Sequence, residues 1–348
     1  MKNGPVVLCT LFDKNYIDRG MLLCESLSAV EDDYELYIIA MDDKCRDVLL
    51  DINPDHVHVI PYAEFEDERL RKARYDRTWK EFVWTCSCYS IRHVLTHYNV
   101  SHCTYIDADM YFYSSPRILL DDFLASGANA GISPHNYSDH YENKVFEKFS
   151  GRYCVQFNTF LNTDNGRRIL DWWIDRCMES CTGEFGKDSF GDQKYLDEFE
   201  RLFDNIYVYN ETGAGVAPWN IDAYRLVGDH NVRRDDKEGR LIFYHYHNLA
   251  LIGDDHFRPG IYTKSIRQDK ALVDFVYQPY TKKLVTTRHE LKEKYGLFSD
   301  DSVPHPVKKS TVKIIVDLWK GSPTKLFFVV DLIKTALYSK RDIQRING

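Results

Sequence analysis

A chain of 348 residues, 44% hydrophobic and 28% charged, is long enough to bury a large core as one big α/β domain or two modest ones. Its 24 Tyr, 19 Phe and 6 Trp exclude a disordered polymer and supply stacking surfaces. A formal net charge of −8 excludes nucleic-acid binding by the body as a whole.

The first hundred residues alternate strand and helix patterns. Val6–Leu11 reads as a strand, Ile17–Val30 as a helix carrying Met21, Leu22, Leu23 and Leu27, and Tyr34–Met41 as a second strand. Asp42-Asp43 opens a helix through Leu50, Val57–Ile60 is a third strand, and Glu64–Tyr98 reads as helical. Strands spaced by helices of this length predict a doubly wound, largely parallel sheet. Further on, Tyr153–Asn162 reads as a strand, Gly166–Cys181 and Asp192–Glu200 as helices, and Asn205–Tyr209 and Leu241–His247 as strands.

The N-terminal Met1-Lys2-Asn3-Gly4-Pro5 runs straight into Val6 without a signal-peptide core, and no run approaches the ~18 apolar residues of a membrane span. The nine cysteines contain no C-x-x-C. Cys86-Ser87-Cys88 and Cys177/Cys181 lack a matching pair at zinc spacing, so buried thiols in a reducing compartment are expected. The expected location is cytoplasmic.

The most informative run is Tyr105-Ile106-Asp107-Ala108-Asp109-Met110-Tyr111-Phe112-Tyr113. Its β-forming flanks predict a buried strand ending near the carboxylates, and residues i and i+2 of a strand share a face. Two like charges at that spacing, in a dry setting, are costly unless something neutralises them. A hard divalent cation does so with oxygen ligands and also clamps a phosphate. The plainer alternative is one Asp capping the strand and one in a turn. His245 and His247 alternate at the end of another apolar run, and two carboxylates plus one imidazole suit Mn²⁺ better than Ca²⁺. Thr10–Tyr16 leaves the first strand with an aromatic next to amide and carboxylate groups, a combination able to stack on a base and read its edge. In sheets of this kind ligands collect at the carboxyl ends of strands, where both segments lie.

The ordered set resembles a GT-A nucleotide-diphospho-sugar transferase, close in layout to glycosyltransferase family 8 and its bacterial relatives. The matching pieces are Thr10 to Tyr16 with Asp13-x-Asn15-Tyr16, Tyr105-Ile106-Asp107-Ala108-Asp109, Gln156-Phe157-Asn158-Thr159-Phe160, Gly191-Asp192-Gln193, Ala217-Pro218-Trp219-Asn220 and His245-Tyr246-His247, over about residues 5–250. The resemblance implies an α/β fold of the GT-A type (Rossmann-like, a doubly wound mixed sheet) and a metal-dependent hexosyltransferase-type enzyme. That enzyme would move a sugar from a nucleotide-diphosphate donor, UDP-sugar foremost, to a glycan or lipid-linked acceptor, with retention favoured. It implies Asp107, Asp109 and His245 around Mn²⁺ or Mg²⁺, with the two aspartates also on the nucleotide diphosphate, and Thr10, Asn15 and Tyr16 on the base and ribose. Asp192 and Gln156 would be catalytic, and Asn158, Gln193 and Trp219 would hold the sugar. The chain departs from the family pattern after the histidine: Asn248 replaces a glycine and no Lys-Pro-Trp follows, which leaves Arg258 and Lys264 as the nearest substitute cations.

Two rival functions remain, a sugar-1-phosphate nucleotidyltransferase and a non-catalytic sugar-binding relative. The first needs a Gly-rich, basic loop after strand one, and Thr10–Tyr16 has neither glycine nor arginine. The second would have lost a metal ligand. A D-x-D phosphatase would carry its pair at the end of the first strand. Residues 1–300 are expected to form the catalytic domain and 301–348 a basic helical tail, residues 308–348 carrying a net +6. With Leu326, Phe327, Val329, Val330 and Ile333 behind Ser322-Pro323, this C-terminal extension predicts an amphipathic helix. Such a helix either lies on the anionic inner face of a membrane as a peripheral contact or packs on the catalytic domain or a homodimer partner.

Overall fold

The computed structural model describes residues 4–139, 141–184, 190–261, 269–298 and 343–347. They fall into two compact units, Met1–Tyr246 and His247–Gly348. The sequence expectation placed its one boundary at 300; residues 299–342, with most of the expected basic tail, and Lys264 lie outside the described residues.

The first unit opens with β1 (Val6–Phe12), α1 (Ile17–Val30), β2 (Tyr34–Ala40), α2 (Asp43–Ile52) and β3 (Val57–Pro61), within a residue or two of the sequence reading. The helical stretch after β3 is three helices: α3 (Tyr62–Phe65), α4 (Glu68–Tyr75) and α5 (Trp79–His97). The breaks come from two capping residues. Asp67 accepts the Leu70 N–H, and Thr78 and Glu81 form a reciprocal capping box at the start of α5. There follow β4 (His102–Ile106), β5 (Met110–Phe112), α6 (Arg117–Ser126), β6 (Ala130–Pro134), α7 (Tyr141–Ser150), β7 (Tyr153–Leu161) and α8 (Asp164–Glu179). Where one helix was expected from Asp192, a 3-10 segment (Lys194–Glu198) runs into the single turn α9 (Phe199–Leu202). The unit closes with β8 (Ile206–Val208), β9 (Arg225–Val227), β10 (Asn231–Arg234), β11 (Lys237–Arg240) and β12 (Phe243–His245).

Seven strands form one sheet in the order β3-β2-β1-β4-β7-β6-β8. Strands β1 to β4 run parallel, β7 runs against both neighbours, and β8 is parallel to β6, so the expected doubly wound sheet is mixed. One face buries its apolar side chains against α5 and α8. Trp173 stacks on Phe160 at 5.8 Å and both are fully buried, as are Phe82 and Phe199. Fully burying side chains of this size stabilises the fold by roughly 1.5–3 kcal/mol each. All nine cysteines are buried free thiols. A short ladder of β5 with β12 and a β9-β10-β11 meander complete the unit.

The second unit contains β13 (Ala250–Ile252), β14 (His256–Arg258), α10 (Lys270–Leu272), a π-turn into α11 (Gln278–Tyr295), and β15 (Gln344–Arg345). Strand β15 pairs with β14, and Gln278 clasps it on both sides: Nε2 donates to the Arg345 carbonyl at 2.7 Å, and Oε1 accepts the Asn347 N–H at 2.9 Å. The Ile346 N–H adds a bond to the Asp255 carbonyl. Residues 344–345 therefore belong to this unit as an ordered strand. Removing residues 343–348 is expected to destabilise the second unit by roughly 2–4 kcal/mol, three to four hydrogen bonds at about 1 kcal/mol each. Amide exchange at His256 and Phe257 checks it; unchanged protection there would show that β15 is dispensable. A cut after Asp300 would remove β15 together with the basic segment.

Candidate functional site

The D-x-D segment differs from its expected geometry. Strand β4 stops at Ile106, Asp107 to Asp109 form a turn closed by the Met110 N–H on the Asp107 carbonyl, and β5 restarts at Met110. The shared-face argument requires extended backbone, so it does not apply to these two residues. From this turn each carboxylate reaches His245 instead.

They converge on the expected histidine. Register places His245 of β12 opposite Met110, and the Tyr246 N–H donates to the Asp109 carbonyl at 2.9 Å. His245 Nε2 then lies 3.0 Å from Asp109 Oδ1 and 3.7 Å from Asp107 Oδ2. The His245 side chain is 4% exposed and that of Asp109 12%, while Asp107 keeps 29%. Burial raises the Asp107 carboxyl above its ordinary range; His245 and the Tyr105 hydroxyl oppose this and Asp109 adds to it. Burial works against an imidazolium at His245, but the two carboxylates outweigh it and its pKa rises. These groups fit a small divalent cation. Neighbouring ligands each about 2.1 Å from one octahedral ion stand about 3 Å apart, and a carboxylate pair with imidazole is a donor set for Mn²⁺ or Mg²⁺. His247, the other candidate, is the first residue of the second unit. Asn248, in place of the family's glycine, has φ 58°, a left-handed conformation that asparagine tolerates better than most residues. Arg258 is exposed on β14.

The loop after β1 is a local turn built on Asp13. Its carboxylate accepts the Asn15 N–H at 2.9 Å and the Trp79 indole N–H at 2.9 Å, and its carbonyl accepts the Tyr16 N–H. Gly20 on the next turn lets α1 close on β1, since a Cβ there would sit 2.3 Å from the Phe12 ring. Asn15 is exposed, and Tyr16 is 44% exposed with the Arg19 guanidinium 4.8 Å from its ring centroid. Desolvation first, and then the charge of Asp109, push the Tyr16 phenol up to about 12. Thr10 lies fully buried inside β1, and its hydroxyl has no hydrogen-bond partner among the described residues.

Asp192 is 5% exposed and takes a short hydrogen bond from the Ser87 hydroxyl of α5. Its carbonyl accepts the Trp173 indole N–H at 2.8 Å. Burial, with Asp107 adding, pushes its carboxyl up to about 7 against the Ser87 bond. A carboxyl so placed exchanges its proton near neutrality.

Four other expected residues make these contacts within the protein. Asn158 spends its side chain on the irregularity between β6 and β7, with Oδ1 accepting the Ser133 N–H at 2.9 Å and Nδ2 donating to the Cys154 carbonyl. Both polar atoms of its side chain are thus hydrogen-bonded within the sheet. Gln193 donates to the Ser150 carbonyl. Trp219 donates its indole N–H to the His135 carbonyl and sets its ring edge-on to His245, centroids 5.1 Å apart. Gln156 places Oε1 3.1 Å from His245 Nδ1. The sequence reading missed Ser87 and Trp79; a helical serine and a tryptophan after a cap carry no signal of what they meet.

No family model matches the sequence. The chain is 28% identical to the uncharacterized protein YfnD of Bacillus subtilis (strain 168), over 88% of this chain and 98% of that one. It is 27% identical to YfnF of the same strain, over 84% and 96%. Solved structures it is similar to include glycosyltransferases. Mouse xyloside xylosyltransferase 1 in its apo form shares 12% identity at a TM-score of 0.46, over 70% of this chain and 98% of that one. Galactosyltransferase LgtC, in complex with donor and acceptor sugar analogues, shares 11% at 0.46, over 81% and 96%. No residue role follows from likenesses at that level.

The raised pKa of Asp192 has a stability consequence of definite sign. Between about pH 4 and 7 the folded protein keeps a proton that the unfolded chain has released, so this group's contribution falls as pH rises through that window. Asp192→Asn is therefore expected to gain stability relative to wild type at pH 8 compared with pH 4. Urea unfolding of the metal-free protein at both pH values checks it; an equal difference at the two would mean Asp192 is ionised throughout.

Proposed function

We propose that the chain is a metal-dependent glycosyltransferase that moves a sugar from a nucleoside-diphosphate sugar, UDP-sugar foremost, to a hydroxyl of a glycan or lipid-linked acceptor. One observation carries the proposal. Two carboxylates, those of Asp107 and Asp109, lie within 3.7 Å of one imidazole, that of His245, which comes from a segment more than a hundred residues away, at the carboxyl end of β4 beside the loop that leaves β1. The order of motifs along the chain supports it.

Asp107, Asp109 and His245 would hold Mn²⁺ or Mg²⁺. The bound ion supplies positive charge to the diphosphate, whose leaving oxygen gains negative charge as the glycosidic bond breaks. Tyr16 offers its exposed ring to the base, and Asn15 offers an exposed amide held by Asp13. Asp192, desolvated and titrating near neutrality, is the group suited to hold or move a proton at the sugar. The family resemblance favours retention at the anomeric carbon.

A nucleotidyltransferase fits less well. The connection from β1 to α1 is a four-residue turn without glycine, and it presents side chains where a triphosphate needs a cradle of backbone N–H groups. A non-catalytic relative gives no reason to keep all three ligands and a neutralisable Asp192. For location, no helix among the described residues is long and apolar enough to cross a membrane. Peripheral membrane contact and dimerisation through the basic segment remain expectations for residues outside the description.

Asp107→Ala and Asp109→Ala are each expected to lower metal-dependent hydrolysis of UDP-sugars by on the order of 100-fold or more, with thermal unfolding unchanged or improved. Full activity in EDTA, or in either variant, would end the metal reading. Between the histidines, His245→Ala should lose Mn²⁺ affinity, and loss by His247→Ala alone would reverse the assignment.

Tyr16→Ala removes a stacking face worth roughly 1–3 kcal/mol, about tenfold or more in affinity. Calorimetric titration of UDP with Mn²⁺ reads this out; unchanged binding would make Tyr16 a packing residue.

A further inference from the structure

Gln156 is fully buried on β7, one residue beyond the pairing of Ile106 with Phe157. Its amide oxygen faces His245 Nδ1 at 3.1 Å, and its Nε2 has no hydrogen-bond partner among the described residues. Space beside that nitrogen is kept by Gly215, which has φ +74° and whose Cβ, if present, would sit 2.8 Å from Gln156 Nε2. The Gly215 carbonyl is tied by Asn220 Nδ2 at 2.8 Å. The imidazole is fixed from other directions too. The His245 N–H donates to the Val216 carbonyl at 3.0 Å, and Trp219 packs edge-on against the ring.

An amide oxygen only accepts, so the ring nitrogen facing it must carry a proton. We infer that Gln156 is a positioning residue whose amide oxygen keeps the His245 proton on Nδ1, so that Nε2 is the nitrogen offered to a divalent cation beside Asp107 and Asp109. The inference rests on the metal-dependent reading above and adds to it the group that selects the tautomer. With the amide turned over, Nε2 of Gln156 would donate to Nδ1, the ring proton would sit on the other nitrogen, and metal binding would have to displace it. A partner on the far nitrogen orients a ligating histidine and raises its basicity. Gln156 thereby acts through His245 and needs no contact with the sugar.

The test uses the full-length chain as wild type, Gln156→Leu and Gln156→Glu. Mn²⁺ binding is titrated by electron paramagnetic resonance, and the tautomer is read by long-range ¹H–¹⁵N correlation on the Mg²⁺-loaded protein, with the His245 signals assigned by their loss in His245→Gln. Gln156→Leu should bind Mn²⁺ roughly 10- to 100-fold more weakly, and Gln156→Glu, which keeps an acceptor, should recover to within a few-fold of wild type. The wild-type ring should carry its proton on Nδ1. Equal Mn²⁺ affinity in wild type and Gln156→Leu, or a wild-type proton on Nε2, would overturn the inference while leaving the metal centre standing. Absence of Mn²⁺ binding in wild type would instead remove the metal reading and this inference with it. If Gln156→Leu does not fold, the wild-type tautomer and the affinity of Gln156→Glu decide.

Discussion

The pairing of β5 with β12 is the constraint on which the site depends. It is only three residues long, yet it joins positions 109 and 245. Closing a loop of that length costs conformational entropy that three ladder positions do not recover alone. Aromatic packing supplies the rest. Phe243 of β12 stacks on Phe157 of β7 at 5.8 Å and meets Phe112 of β5 at 5.6 Å, and none of the three rings is more than 1% exposed. The same side chains that hold the short ladder to the main sheet fix the backbone from which Asp109 and His245 project.

The price of that arrangement is electrostatic. Asp107, Asp109 and Asp192 share a desolvated region, and the carboxyls of Asp107 and Asp192 are both raised in pKa chiefly by burial. Such a cluster opposes folding in the metal-free chain, and a fold tolerates it only where the surrounding structure is rigid. Here the rigidity comes from strands on one side and the α5–α8 layer on the other.

Sheet and helices were legible because they repeat. Val6–Phe12, Tyr34–Ala40 and Tyr153–Leu161 carry apolar runs of strand length, and α2, α4, α5 and α8 start at recognisable caps. That Asp107 and Asp109 come near His245 was legible, since polar groups interrupt apolar runs there. Their geometry was not: a strand prediction extends through Asp107–Asp109, whereas β4 in fact stops and turns, and the convergence arises from pairing with a distant strand. The partners of Asn158 and Gln156 were hidden for a related reason. Whether a buried amide serves a ligand, a bulge or a neighbouring imidazole depends on partners such as Ser133 and His245, and spacing along one strand does not reveal them. Splitting Glu64–Tyr98 into three helices was recoverable in principle, since Asp67 and Thr78 are both good caps.

Strand β15 also orders events during synthesis. Every strand of the first unit has been made by residue 245, whereas the edge of β14 waits for residues 344–345, about a hundred residues later. At about 5–20 residues per second this delay lasts on the order of 5–20 seconds. Throughout that interval the backbone N–H and C=O groups of β14 that later meet β15 are open to any passing strand. The nascent chain is thus most exposed to mispairing after its candidate catalytic centre has already been assembled.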